Sequence, residues 1–355
     1  MEMNKQEVSN VSDSFVQQAN GDVHNNFGLA YNDVKEICHD VVRQELAIVT
    51  KEATDIFHQE VSAFENQFVE RLEKLGNPQV MEKLRLPKLQ FALHDTIKEY
   101  AKTDDADTKE ELVDLLIDRL KVNEHSTEQY LIDESIKILP NLSLAQTYFL
   151  GALTFRKIMN QGYSFNVDKH LSKRAMLYEY LDDITKLDIQ YLKLVNCCSD
   201  MPMTKYYLPI LELMKPDYDL LFRHPIKEGT FYTYMREHPN MPMLNGKILI
   251  YRNDSTNELY LLYSSKKYLI QQLEKEQQYS LSELDNFINL FTPFTDNEIK
   301  QHLISLNPNW EKAFNCLDNE EITPIDLTPV GLYIGRRIVK KVANDNTLPL
   351  MDFYK

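Results

Sequence analysis

The residue pairs best suited to chemistry are His94-Asp95 and His39-Asp40, because a His-Asp pair on one helix is a metal-phosphohydrolase device. That chemistry needs further His and Asp ligands at fitting positions, and none is identifiable; His58 and His125 are simply the nearest other histidines. Asp104-Asp105-Ala106-Asp107 has the acidity of a calcium loop but lacks its glycine turn and terminal bidentate Glu. It reads as a solvated loop ahead of a helix. Cys197-Cys198 has no companion thiols or neighbouring base, so it reads as two buried thiols. No nucleophile elbow, phosphate-binding loop, dinucleotide fingerprint or zinc-protease motif occurs. The sequence therefore predicts no catalytic residue, no metal site and no cofactor.

One concentrated basic cluster remains: Arg336, Arg337, Lys340 and Lys341. Cations in a last helical turn complement the helix dipole. As a face they would also suit an anion such as a phosphate or nucleotide, which makes these four the candidate anion-binding residues. Gly331 and Gly335, four apart on the same helix, allow another backbone to approach closely.

The chain must position these residues with 355 residues and a formal charge of −15. That charge repels phosphate backbones, so a nucleic-acid partner is not expected. Four cysteines in no spaced framework (Cys38, Cys197, Cys198, Cys316) indicate a reducing compartment. Met1–Asn10 lacks the apolar core of a signal peptide, and no stretch approaches the roughly 18 apolar residues of a membrane span. A cytoplasmic protein without a membrane partner is the expectation.

Residues 1–28 form a polar leader rich in Asn, Gln, Ser and Asp, either disordered or an oligomerisation segment. From Asn32 the pattern becomes helical without Gly or Pro until Gly76. Val42, Ala53, Phe64 and Leu75 recur every eleven residues, with Leu46, Phe57 and Phe68 as a second row. A single amphipathic helix over 29–76 would be about 70 Å long. Its stripe packs either on the rest of the chain or on another subunit. Phe15, Val23, Phe27, Val42, Leu46, Phe57, Phe64 and Phe68 are the candidate oligomer interface.

Residues 77–200 read as a helical domain. Capping boxes are expected at Thr108–Glu111 and Ser143–Gln146, a break at Pro140, and helical register from Leu171 to Val195. Residues 201–355 read as a helical module containing a hairpin at about 247–264, where KILIYRN and ELYLLYSS flank a polar turn. Further boxes are expected at Ser280–Glu283 and Thr295–Glu298, Trp310 in a helix, and a last helix from Thr328-Pro329. The fold class is mainly α: a long N-terminal helix and helical core, with a small C-terminal α+β element.

The segments QQANGDVHNNFGLAYNDVKEI, LVDLLIDRL and LIDESIKILPNLSLAQ resemble an uncharacterised bacterial helical family known by locus-tag names. Its QAxGD leader precedes a GLxxxDVK helix start. The resemblance spans Gln17 to Lys157, with Leu327 to Gly335 as a second anchor. It carries no catalytic residues. Similar leaders stand ahead of some phage-defence proteins, which implies a role of that kind. The functional expectation is a non-enzymatic homo-oligomeric scaffold, sensor or effector in anti-phage defence, with copies of itself and a protein partner as its contacts. The alternative is a divergent enzyme or nucleotide-binding protein whose site is assembled from distant residues.

Overall fold

A computed structural model describes residues 31–45, 51–158, 167–200, 208–239, 249–274, 280–320 and 325–343. The N-terminal stripe occupies two helices, α1 (Tyr31–Glu45) and α2 (Lys51–Leu75). They do not form one continuous rod. Lys35 Nζ lies 3.6 Å from Glu65 Oε1, and His39 Nε2 lies 3.8 Å from Glu65 Oε2. Residues thirty apart on a straight helix would be separated by about 45 Å, so α1 folds back along α2. The reason is the stripe itself, which the chain buries against its own helices.

Val34 and Cys38 of α1 and Phe64, Phe68 and Leu72 of α2 are all buried. Phe64 stacks on Phe68 at 5.6 Å and meets Tyr100 edge-on at 5.3 Å. Phe64 and Phe68 are therefore core residues, which corrects their assignment to a subunit interface. Phe57 is half-buried against the same core. Phe15, Val23, Phe27 and Leu46, and the side chain of Val42, lie outside the described residues.

Four helices continue this core after the short α3 (Pro78–Lys83): α4 (Pro87–Lys102), α5 (Ala106–Lys121), α6 (Thr127–Ile138) and α7 (Leu144–Ile158). Asp105, not Thr108, caps α5; its Oδ2 accepts from Thr108 N at 2.7 Å and Thr108 Oγ1 at 2.6 Å. Two acceptor lone pairs on a carboxylate satisfy the orphan amide better than one hydroxyl placed a turn later. The Ser143–Gln146 box forms as expected, with reciprocal bonds of 3.0 and 3.2 Å. A 3-10 turn at Leu139–Asn141 marks the break at Pro140.

The stretch from Leu171 to Val195 is interrupted. Helix α8 (Val167–Arg174) passes into 3-10 turns at Ala175–Tyr178 and Leu181–Asp183, and α9 (Lys186–Leu194) restarts at a Thr185–Asp188 capping box. That box supplies partners for freed amides at the restart, so the break costs little. It also lets Tyr178 pack edge-on against Trp310 at 5.1 Å.

Strand β1 (Cys198–Asp200) and, later, β5 (Ile325–Leu327) pair antiparallel. Between them come α10 (Ile210–Met214), β2 (Ile226–Lys227), α11 (Glu228–Glu237), β3 (Ile250–Asn253), β4 (Glu258–Leu261), α12 (Lys266–Glu274) and α13 (Leu281–Ile288). Helices α14 (Asp296–Leu306), α15 (Asn309–Leu317) and α16 (Pro329–Ala343) follow. The hairpin is β3–β4, with β2 added on the far side of β4 to give the order β2-β4-β3. Two residues are too short for a visible alternation, so β2 left no trace in the sequence pattern. Trp310 sits in α15. Thr295–Glu298 forms its box, whereas Ser280 makes no side-chain cap bond and instead shares a 2.9 Å hydroxyl contact with Ser282.

Two hydrophobic cores result. The larger gathers α1–α10 with α14–α16; the smaller gathers Phe231, Leu259, Leu261, Leu269 and Phe287 under the hairpin. Among the described residues no helix is long and apolar enough to cross a membrane.

Candidate functional site

The cationic cluster on α16 does not form an open basic face. Arg336 is only 2% exposed. Arg337 donates through Nε to Glu111 and through Nη1 to Asp118 at 2.5 Å, and Lys341 Nζ bonds Asp107 at 2.8 Å. Three carboxylates of α5 thus face two of the cations that were expected to receive an anion, and Lys340 is half-buried. This corrects the reading of Arg336, Arg337, Lys340 and Lys341 as one anion-binding surface. Burial works against ionisation at Asp118, but the Arg337 guanidinium and Lys121 outweigh it and hold its carboxyl below the usual range. Burial likewise opposes the Arg337 charge, and Glu111, Tyr333 and Asp118 more than offset it.

His94 Nδ1 is 3.6 Å from its neighbour Asp95, and no group of three His, Cys, Asp or Glu side chains among the described residues is arranged to hold a metal. Cys197 and Cys198 are both buried, and burial pushes the Cys197 thiol up to about 12.

What the fold does assemble lies at the seam between the two cores. There a cleft of about 640 Å³ separates the hairpin from α14 and the start of α8. Strand alternation supplies one wall. Leu259 and Leu261 turn into the small core, so the partners Tyr251 and Tyr260 share the opposite face, their rings stacked at 5.4 Å. The floor is fixed by two chain segments running antiparallel: Phe294 N donates to Phe222 O at 2.9 Å and His224 N to Thr292 O at 2.8 Å. Arg223 locks them further, donating to the carbonyls of Asp219, Ile288 and Phe291 at 3.0, 3.1 and 2.8 Å.

Two histidines flank Phe294, with ring centroids 4.6 Å (His224) and 6.0 Å (His302) from it. Each meets a carboxylate: His224 Nε2 is 3.2 Å from Glu298 Oε1, and His302 Nε2 is 3.4 Å from Asp168 Oδ1. Glu298 is doubly engaged, because it also completes the Thr295 capping box; those bonds, then His224, keep its carboxyl below the ordinary range. Burial raises the Tyr251 hydroxyl above its usual value, with the Asp168 charge and Tyr260 adding to the effect. The exposed amides of Asn297 and Gln301 complete the α14 wall.

A family model bearing a locus-tag style "-like" name matches residues 28–352. The chain belongs to that family. The match starts at the end of the polar leader and runs through both cores, well past the N-terminal half that carries the resemblance in the sequence. No curated protein and no solved structure is significantly similar.

The seam presents a concave, aromatic-walled site with convergent polar groups, the usual form of a small-molecule pocket. Among the described residues its lining contains no Ser, Cys, Thr or Lys, and Arg223 is held to backbone carbonyls through Nε and Nη1. The arrangement can recognise a ligand by ring contact and hydrogen bonds, and the two His–carboxylate pairs can relay a proton. The sequence signal that could have found it is the alternation of Tyr251, Asn253 and Tyr260 on the solvent side of a strand pair.

Proposed function

We propose that the protein is a non-enzymatic sensor or effector that binds a small molecule in the seam cleft and acts as a homo-oligomer. The observation that supports this is the make-up of the cleft, with five aromatic rings, two carboxylates each paired to a histidine and, among the described residues, no Ser, Thr, Cys or Lys. A ligand there touches both cores at once and so stabilises one relative arrangement of them, which is how binding is converted into a response. The polar leader, residues 1–28, is the segment we assign to assembly, since the stripe residues Phe64 and Phe68 are already consumed inside the chain.

Native mass spectrometry of protein purified from the organism that makes it reads both claims together. The expected spectrum carries a non-covalent small-molecule adduct on an oligomer, and deletion of Met1–Gly28 lowers the subunit number. A monomer with and without residues 1–28, or a bare polypeptide mass, would contradict the corresponding half. The setting we propose is anti-phage defence, on the strength of the leader's resemblance; phage plating no better on cells lacking the protein would count against it. The second reading, a divergent enzyme, draws on the His302–Asp168 and His224–Glu298 pairs. It requires the bound compound to leave with a changed mass.

A further inference from the structure

We infer that the seam cleft takes a nucleoside or free nucleobase, and that it discriminates against the corresponding nucleotide. This deepens the binding reading above and rests on it. Three features on separate elements point the same way. The stacked pair Tyr251 and Tyr260 lines one wall, and Tyr251 is still 48% exposed, leaving ring surface for a planar ligand. Phe294 with His224 and His302 provides further ring surface across the floor. Sequence-tolerant stacking of this kind suits any base, because every base has a π-face.

Opposite the tyrosines, Asn297 and Gln301 project from successive turns of α14, one helical repeat apart. Side-chain amides carry both donor and acceptor, which is what the edge of a base presents. The charge pattern then excludes phosphate. Asp168 and Glu298, which line the cleft, are 49% and 44% exposed. The one guanidinium lining the site, Arg223, is half-buried and turns Nε and Nη1 to three carbonyl oxygens. A phosphate would meet two carboxylates against a single guanidinium that is held to backbone carbonyls by Nε and Nη1. A neutral base and its sugar meet neither penalty.

Isothermal titration of the full-length protein with adenosine, guanosine, cytidine and uridine tests this, alongside adenosine 5′-monophosphate, ribose and glutamine. The expected result is measurable binding of at least one nucleoside. Tyr251→Ala should weaken it about ten-fold or more, from the loss of base stacking, while Tyr251→Phe stays near wild type. The monophosphate of adenosine should bind more weakly than adenosine. Tyr251 is half exposed, so the alanine variant is expected to fold, and Gln301→Ala gives an independent second variant. Tighter binding of the monophosphate, or affinity unchanged in both Tyr251→Ala and Gln301→Ala, would overturn the inference. Binding of ribose or glutamine in a Gln301-dependent manner, without any nucleoside, would overturn the ligand class and leave the cleft as a binding site. No binding across the panel, with no adduct on the native protein, would remove both.

Discussion

Alanine at Gly331 is expected to lower the apparent Tm by on the order of 5–10 °C, with a similar loss for Gly335→Ala. Helix α16 lies against α7 and the β1 entry so closely that these two positions have no room for a side chain. A β-carbon on Gly331 would overlap the carbonyl oxygen of Cys197 and come within 2.7 Å of its carbonyl carbon. That carbonyl cannot give way freely, because it accepts from both Thr328 N and Thr328 Oγ1 at 3.1 Å, at the start of the strand pair. At Gly335 the β-carbon would overlap Thr154 Oγ1 and Leu150 O, the latter in the backbone of α7. Overpacking against side chains costs about 1–3 kcal/mol, and a backbone obstacle places these sites at or above the upper end. Gly229, exposed in the first turn of α11, has nothing near its ideal β-carbon. Gly229→Ala should therefore be neutral or stabilising by up to about 1 kcal/mol through helix propensity. Thermal denaturation of the three variants side by side checks the contrast; equal Tm values would refute the tight α16–α7 contact.

Removing the Arg337 charge is the second large effect. Arg337→Met keeps most of the aliphatic bulk, takes the guanidinium away from Glu111 (11% exposed) and leaves Asp118 (27% exposed) with Lys121 alone. Breaking a buried ion pair from one side costs about 3–5 kcal/mol. The pH dependence identifies the cause. A carboxyl whose folded pKa lies below its unfolded value contributes stability above the unfolded value and loses it as pH falls through the folded one. For Asp118 in the wild type, that loss sets in as pH falls toward 3.8, the unfolded value, and is completed below it. In Arg337→Met the Asp118 carboxyl loses the larger of its two cationic partners while burial still raises it, so it takes up a proton at a higher pH than in the wild type. The stability gap between wild type and variant, read from urea unfolding, should be widest near neutrality and narrow toward about pH 4. A gap independent of pH would mean that packing, not charge, is what Arg337 supplies.

The same residue explains what the sequence could and could not reveal. The cation-rich turn of α16 was visible, but its partners Glu111 and Asp118 lie more than two hundred residues earlier in the chain. No local pattern reports such a pairing, so a neutralised internal contact read as an open basic face. Local signals fared better: the Gly331/Gly335 pair, the Ser143 and Thr295 boxes and the β3–β4 hairpin each depend on residues within a few positions of one another. The eleven-residue stripe was legible as a helix face, but periodicity does not say whether a helix folds back on itself, and α1 does. The seam site is the hardest case. Asp168, His224, Tyr251, Phe294 and His302 come from separate segments whose meeting is set by how the two cores pack.

The claim on which the functional account depends is that the seam cleft is where the ligand sits. Gln301→Trp places a bulky ring into that space from the exposed face of α14 without touching either core. Native mass spectrometry of this variant beside the wild type, both purified from the organism that makes the protein, is the most direct test. The account predicts a small-molecule adduct on the wild type that is lost from Gln301→Trp while the oligomeric mass and Tm are unchanged. An adduct retained at equal occupancy by Gln301→Trp would place the ligand elsewhere and contradict it.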